Sequence, residues 1–266
     1  PAELAVALRG IALGEVDTVS LSRGARRLIE ELRERNIPVR FLTNNPTKDL
    51  HQYADKLTAL GLPTPVEDIV GTVATTTSWL LEHKPGQVVF PIAEEPLIAA
   101  FERAGIPMSD DPEKIDVVVA SYDRTFDYRK LQIAFDAIWF HRRATLVGTN
   151  PDRFCPFPGG KGQPDCAAVV AAIEACTNTK AEIVLGKPNA EMARVALAGL
   201  DLELKDCLMV GDRLMTDIQL AVNAGMASAM PLTGESTLDE AMARPEESRP
   251  TYVVDRIDHL LPPQVW

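Results

Sequence analysis

Three short polar segments interrupt an otherwise alternating apolar pattern, and each carries groups able to handle an ion. Thr43-Asn44-Asn45 closes the apolar run 38–42, so a hydroxyl stands beside the start of a following helix, an arrangement that holds anions. Gly186-Lys187-Pro188 sets a single ammonium directly after another apolar run. Gly211-Asp212-Arg213-Leu214-Met215-Thr216-Asp217-Ile218 puts two carboxylates around a tight turn into a helix, a set that suits Mg²⁺. Singly, each has an ordinary reading: a helix cap, a solvated lysine, a capping residue with a first-turn acid. In this order, each after a strand, they point to one ligand site at the carboxyl edge of an open sheet.

The elements that must position these segments follow from hydrophobic period. Strand-like runs at 4–13, 38–42, 69–73, 88–90, 117–120, 145–148, 183–185, 207–210, 228–230 and 252–254 alternate with amphipathic helical stretches, which predicts an α/β fold with a parallel sheet. Ser22 is expected to cap a helix running to Arg35, and further helices are expected over 47–60, 96–104, 128–140 and 165–175. Lys84-Pro85-Gly86 reads as a hinge, and 156–164 as a Gly/Pro-rich loop. The expected organisation is a core domain formed by 1–84 and 181–266, interrupted by an inserted α/β domain at 85–180.

Composition narrows the partners. With 27 Lys and Arg against 38 Asp and Glu, the formal net charge is −11, which disfavours phosphate backbones and anionic membrane surfaces. No apolar run reaches bilayer length and no secretory signal is evident, although Pro1 is not a native start and residues before it are expected to have been removed. Cys155, Cys166, Cys176 and Cys207 show no paired spacing, so reduced thiols and a cytoplasmic location are expected. The four histidines show no zinc-ligand spacing.

The segments at 42–45, 186–188 and 211–218 resemble the second, third and fourth motifs of the haloacid dehalogenase-like (HAD) superfamily. Tyr122-Asp123-Arg124-Thr125-Phe126 with Tyr128 and Leu131, then Gly148-Thr149-Asn150-Pro151-Asp152, resemble the cap of its NagD-like phosphatases. The resemblance covers essentially the whole chain. It implies a Rossmann-like parallel-sheet core with an inserted α/β cap and hydrolysis of phosphate esters through a phospho-aspartate. It further implies Mg²⁺ and a homodimer formed through the cap. By the same resemblance Thr43, Asn44 and Lys187 are expected to bind phosphate, Asp212 and Asp217 to hold metal, and Asp123, Asn150 and Asp152 to face the substrate.

The first motif departs from that pattern. Where the family carries Asp-x-Asp-Gly, this chain reads Ala7-Leu8-Arg9-Gly10. A methyl group cannot attack phosphorus, and guanidinium does not give up its proton to act as a base. Arg9 instead offers a fork for an anion, or a partner for Asp212 or Asp217. The expectation is therefore a pseudophosphatase that binds a small phosphorylated or carboxylated metabolite, with weakened Mg²⁺ binding. The alternative is an active hydrolase, or another enzyme, working on a small phosphorylated metabolite by a non-standard mechanism. An engineered loss in a working phosphatase ranks last. A rival register places Glu15-Val16-Asp17-Thr18 in the motif, but leaves no flap before the first helix.

Overall fold

The computed structural model describes residues 5–8 and 24–262. Arg9, Gly10, Glu15, Asp17 and Ser22 lie outside them. In chain order the elements are β1 (Ala5–Leu8), α1 (Ala25–Glu34), β2 (Val39–Thr43), α2 (Leu50–Ala59), β3 (Ile69–Gly71), α3 (Thr72–His83), β4 (Val89–Ile92), α4 (Glu95–Arg103), β5 (Val117–Ala120) and α5 (Tyr128–Phe135). They continue with β6 (Thr145–Gly148), β7 (Phe154–Phe157), β8 (Lys161–Pro164), α6 (Cys166–Thr177), β9 (Ile183–Val184), α7 (Glu191–Ala196), β10 (Cys207–Val210), α8 (Gln219–Ala224), β11 (Ala227–Pro231), α9 (Leu238–Ala243) and β12 (Tyr252–Val254). The chain divides into two compact units: Pro1–Thr43 with Leu50–Val70 and Lys187–Trp266, and Asn44–Asp49 with Gly71–Gly186.

The first unit is built on a sheet of order β12-β11-β10-β1-β2-β3. Strand β10 is apolar and buried along its whole length, as a sheet covered on both sides requires. Alternate residues of β10 separate the two cores. Leu208 and Val210 join Phe41 and the α1 residues Leu28, Ile29 and Leu32, whereas Cys207 and Met209 join Leu42 and the α7 residues Met192, Ala193 and Ala196. That two-residue period turns one strand into the middle of an α/β/α sandwich. Parallel β1 lies between β2 and β10, with Ala7 opposite Arg40 on one side and Met209 on the other. Successive strands therefore leave β1 in opposite directions, which opens a crevice at the carboxyl ends of β1, β2 and β10.

The second unit repeats the scheme on a parallel sheet of order β4-β5-β6-β9. Val118 and Ala120 of β5 face the α6 residues Val169, Val170 and Ile173. Val117 and Val119 face Trp79 and Leu80 of α3 and Leu97 and Phe101 of α4. Burial of Trp79 and Leu80 in this second core explains why α3 clusters with the second unit, although the sequence pattern assigns it to the core domain. Likewise β9, read from the sequence as a core-domain strand, pairs with β6. The expected hinge at 84–86 is accordingly a turn inside the second unit, tied by Lys84 Nζ to Glu182 Oε2 at 2.8 Å.

Other boundaries shift for local reasons. The helix expected over 47–60 starts only at Leu50, because the Asn45 side-chain oxygen captures Thr47 N at 2.9 Å and Thr47 Oγ1 at 2.7 Å. Such an Asx turn competes with helix. The helix expected over 128–140 runs as α5 and then widens to a π-helical turn at Asp136–Phe140. The loop expected over 156–164 is largely an antiparallel hairpin of β7 and β8. Its turn passes through Gly159 and Gly160, at φ 75° and 73°, which other residues adopt only under strain.

Candidate active site

In the first unit, side chains from two separate loops meet beside the end of β2. Lys187 is fully buried, and its Nζ donates to Leu42 O at 3.2 Å and stands 2.9 Å from Asp217 Oδ1. A buried ammonium is tolerable only with such a partner. Asp217 is also fully buried, on a π-helical turn at Leu214–Ile218 that follows β10. Such turns are frequent at functional sites, because the extra residue re-aims the side chains. Backbone Arg213 N donates to Asp217 Oδ2 at 3.3 Å. Gly211 makes room for this carboxylate: a Cβ there would overlap the Asp217 side chain.

Asp212 is partly exposed and is clasped from the loop after β11. Glu235 N donates to Asp212 Oδ2 at 2.9 Å, and Ser236 N to the Asp212 carbonyl at 3.1 Å. A side chain on Gly234 would collide with Asp212. Arg213 forms an ion pair with Glu235 at 2.5 Å. Gly234 and Glu235 carry little sequence signal beyond a Gly-Glu pair just before the capping box of Thr237 and Glu240. Thr43 is the last residue of β2 and is partly exposed. The structure thus brings Lys187 and Asp217 into contact, sets Thr43 one residue beyond the carbonyl that receives Lys187, and places Asp212 at the end of β10.

The expected substrate-facing residues of the second unit are largely engaged in internal bonds. Asp123 has a buried carboxylate that accepts from Thr125 N at 2.8 Å, Thr125 Oγ1 at 2.7 Å and Lys130 Nζ at 2.5 Å. Asn150 is fully buried; it donates to Asn44 O at 3.2 Å and to Asp165 Oδ1 at 3.3 Å, and accepts from Asp152 N at 2.9 Å. Both thus hold neighbouring loops of the second unit in place. Asp152 is partly exposed. Arg124 forms a bidentate pair with Glu94 at 2.6 and 2.7 Å.

Two family models match the chain, the HAD-hydrolase-like model over residues 184–260 and the haloacid dehalogenase-like hydrolase model over 16–107. The sugar-phosphatase AraL of Bacillus subtilis is 32% identical over 237 residues, covering 89% of this chain and 85% of the relative. The chain belongs to the haloacid dehalogenase-like hydrolase family. Among solved structures, the 4-nitrophenylphosphatase of Thermotoga maritima is similar to this HAD protein with a TM-score of 0.84 and 30% identity, covering 97% of this chain and 95% of the other. NagD of Escherichia coli K-12 shares the fold, with a TM-score of 0.83 at 23% identity over 97% of each chain. The Rossmann-like parallel-sheet core and the NagD-like inserted α/β unit expected from the motifs are thus those of the family. No described helix is long and apolar enough to cross a membrane.

The divalent cation implied by the family finds an incomplete donor set here. Asp217 has one oxygen at Lys187 and the other at Arg213 N. Strand β1 carries Ala7, and a methyl group offers no donor to a metal. Among the described residues no three His, Cys, Asp or Glu side chains come together as a metal cluster. Mg²⁺ asks for near-octahedral oxygen coordination, and among the described residues Asp212 is the carboxylate left to anchor it. The described residues do not fit a tightly held ion.

Proposed function

We propose that this HAD protein acts on a small phosphorylated metabolite, as a phosphomonoester hydrolase that works without a phospho-aspartate. The carrying observation is the buried Lys187, fixed between Leu42 O and Asp217 at the carboxyl ends of the central strands. A fixed ammonium there stabilises the charge on transferring phosphoryl oxygens, and the Thr43 hydroxyl and the following backbone add donors. Relatives named as sugar phosphatases support the substrate class. With alanine at position 7 the nucleophile is water. Its oxygen bonds to phosphorus as the ester oxygen leaves and takes a proton as the alcohol, and Asp212 is the partly exposed carboxylate able to orient that water. Any Mg²⁺ is held weakly, and no step depends on it.

Ala7 specifically favours a second reading, binding without turnover. Release of phosphate from sugar phosphates and 4-nitrophenyl phosphate, measured with and without Mg²⁺, separates the two. Turnover that disappears in Lys187→Met supports the hydrolase. Saturable binding of inorganic phosphate with no turnover supports the silent binder, and absence of both overturns the phosphate site. The paired reversion Ala7→Asp with Arg9→Asp is expected to raise turnover and Mg²⁺ dependence if the rest of the site is intact. We further place the protein in the cytoplasm, because none of its four cysteines forms a disulfide. We assign it a homodimer through the second unit, where Trp139 and Phe140 are 50% and 67% exposed; light scattering on the purified protein checks the mass.

A further inference from the structure

The second unit holds a buried carboxylate that the proposed chemistry does not use. Asp165 is 5% exposed and caps α6 through Cys166 N at 2.6 Å. A neutral threonine or serine would cap that helix as well. The groups that meet Asp165 are uncharged donors, Cys166 N and the Asn150 amide, while Asp152 adds repulsion. The other titratable groups beside it are Cys166 and Tyr122, pushed by burial to about 11 and about 12 and so neutral. Desolvation accordingly pushes the Asp165 carboxyl up to about 6. A carboxylate held at that cost marks a place where its extra acceptor strength is used.

Asn150 is where it is used. Asp152 N can only donate, so the Asn150 side-chain oxygen must face it, and the amide nitrogen must face Asn44 O and Asp165. Asn44 O also accepts from Thr72 Oγ1 at 3.1 Å. Gly186, at φ 77°, closes the cluster: a Cβ there would stand 2.9 Å from Asn44 Oδ1, Thr149 O and Thr72 Cγ2. Asn44 is the covalent neighbour of Thr43, and Gly186 that of Lys187. The two residues proposed to meet phosphate are thus each one peptide bond from this buried cluster.

We propose that Asp165 is a positioning residue for the phosphate site, orienting the Asn150 amide and through it the Asn44 carbonyl that follows Thr43. This rests on the phosphate-binding reading above, and the test reports on the two separately. In the full-length ¹⁵N-labelled protein, the Asn150 side-chain amide is followed by NMR from about pH 4 to pH 8, in wild type, Asp165→Asn and Asp165→Ala. Inorganic phosphate is titrated into each at neutral pH. The wild-type amide is expected to shift with an inflection near 6 that Asp165→Asn abolishes. Phosphate affinity is expected to fall about tenfold in Asp165→Ala, the loss of one hydrogen bond to a charged group, and to stay within about twofold in Asp165→Asn, whose carbonyl still accepts. Persistence of the inflection in Asp165→Asn, or wild-type affinity in Asp165→Ala, overturns the proposal. If wild type itself binds no phosphate, the site reading fails. Unchanged Asn44 and Asn45 backbone shifts in the variants then overturn the Asp165 assignment on its own. Should Asp165→Ala not fold, the wild-type and Asp165→Asn pH profiles decide.

Discussion

The two units each bury a carboxylate beside the carboxyl end of a parallel sheet, and they treat it in opposite ways. Asp217 meets a full ammonium 2.9 Å away and sits in a pocket that only Gly211 leaves open. Asp165 meets neutral dipoles and a like charge. The first arrangement is a paired charge whose removal leaves its partner stranded. The second is a single charge held against its preference, so its removal relieves the fold. Fixed charge of this kind suits phosphate recognition, whereas an acceptor near its titration point suits orientation of a neighbour.

Removing a partner tests that contrast most severely. Lys187→Met leaves Asp217 buried without its cation and is expected to cost about 3–5 kcal/mol, read from urea unfolding, with loss of phosphate binding. Opposite in sign, Asp165→Asn is expected to stabilise the protein by about 2 kcal/mol at pH 8. The Asp165 carboxyl rises from 3.8 to about 6 in the folded state, so unfolding releases a proton between those values. Its contribution is full below pH 3.8 and is lost as pH rises through 6; the stabilisation by Asn is therefore expected to vanish near pH 4. A destabilised Asp165→Asn at pH 8 would break the comparison.

Smaller effects sharpen it. Gly211→Ala is expected to cost about 1–3 kcal/mol through overpacking against Asp217, with phosphate affinity lowered in parallel. Glu182→Gln removes the solvent-accessible pair with Lys84 and is expected to change stability by less than about 1 kcal/mol. Thermal unfolding of both variants under matched buffer ranks them directly.

Much of the fold was legible because period and burial coincide in a doubly covered sheet: the runs 117–120, 145–148 and 207–210 are strands as expected. Helix ends were less legible, since the Asn45 side chain that delays α2 acts through a bond with no fixed pattern in spacing. The hairpin at 154–164 hid behind its Gly and Pro content. Of the candidate site, the placement of Thr43, Lys187, Asp212 and Asp217 after strands was legible from order along the chain, and the contact of Lys187 with Asp217 was not. The internal bonds of Asp123 and Asn150 had no signal in spacing, since their partners are fixed only by the loops' conformation. Asp165, Gly234 and Glu235 carried no such signal, because their contacts with Asn150 and Asp212 join separate loops.

Taken alone, the residue order determined the alternation of strands and helices and the family, because these depend on identity and short-range period. Tertiary structure decided which sheet receives α3 and β9, which carboxylate meets a cation, and which asparagine is consumed by backbone. Those outcomes turn on contacts between residues up to 145 positions apart, as in the bond from Lys187 to Leu42, and such pairings exist only once packing has brought the strand ends together.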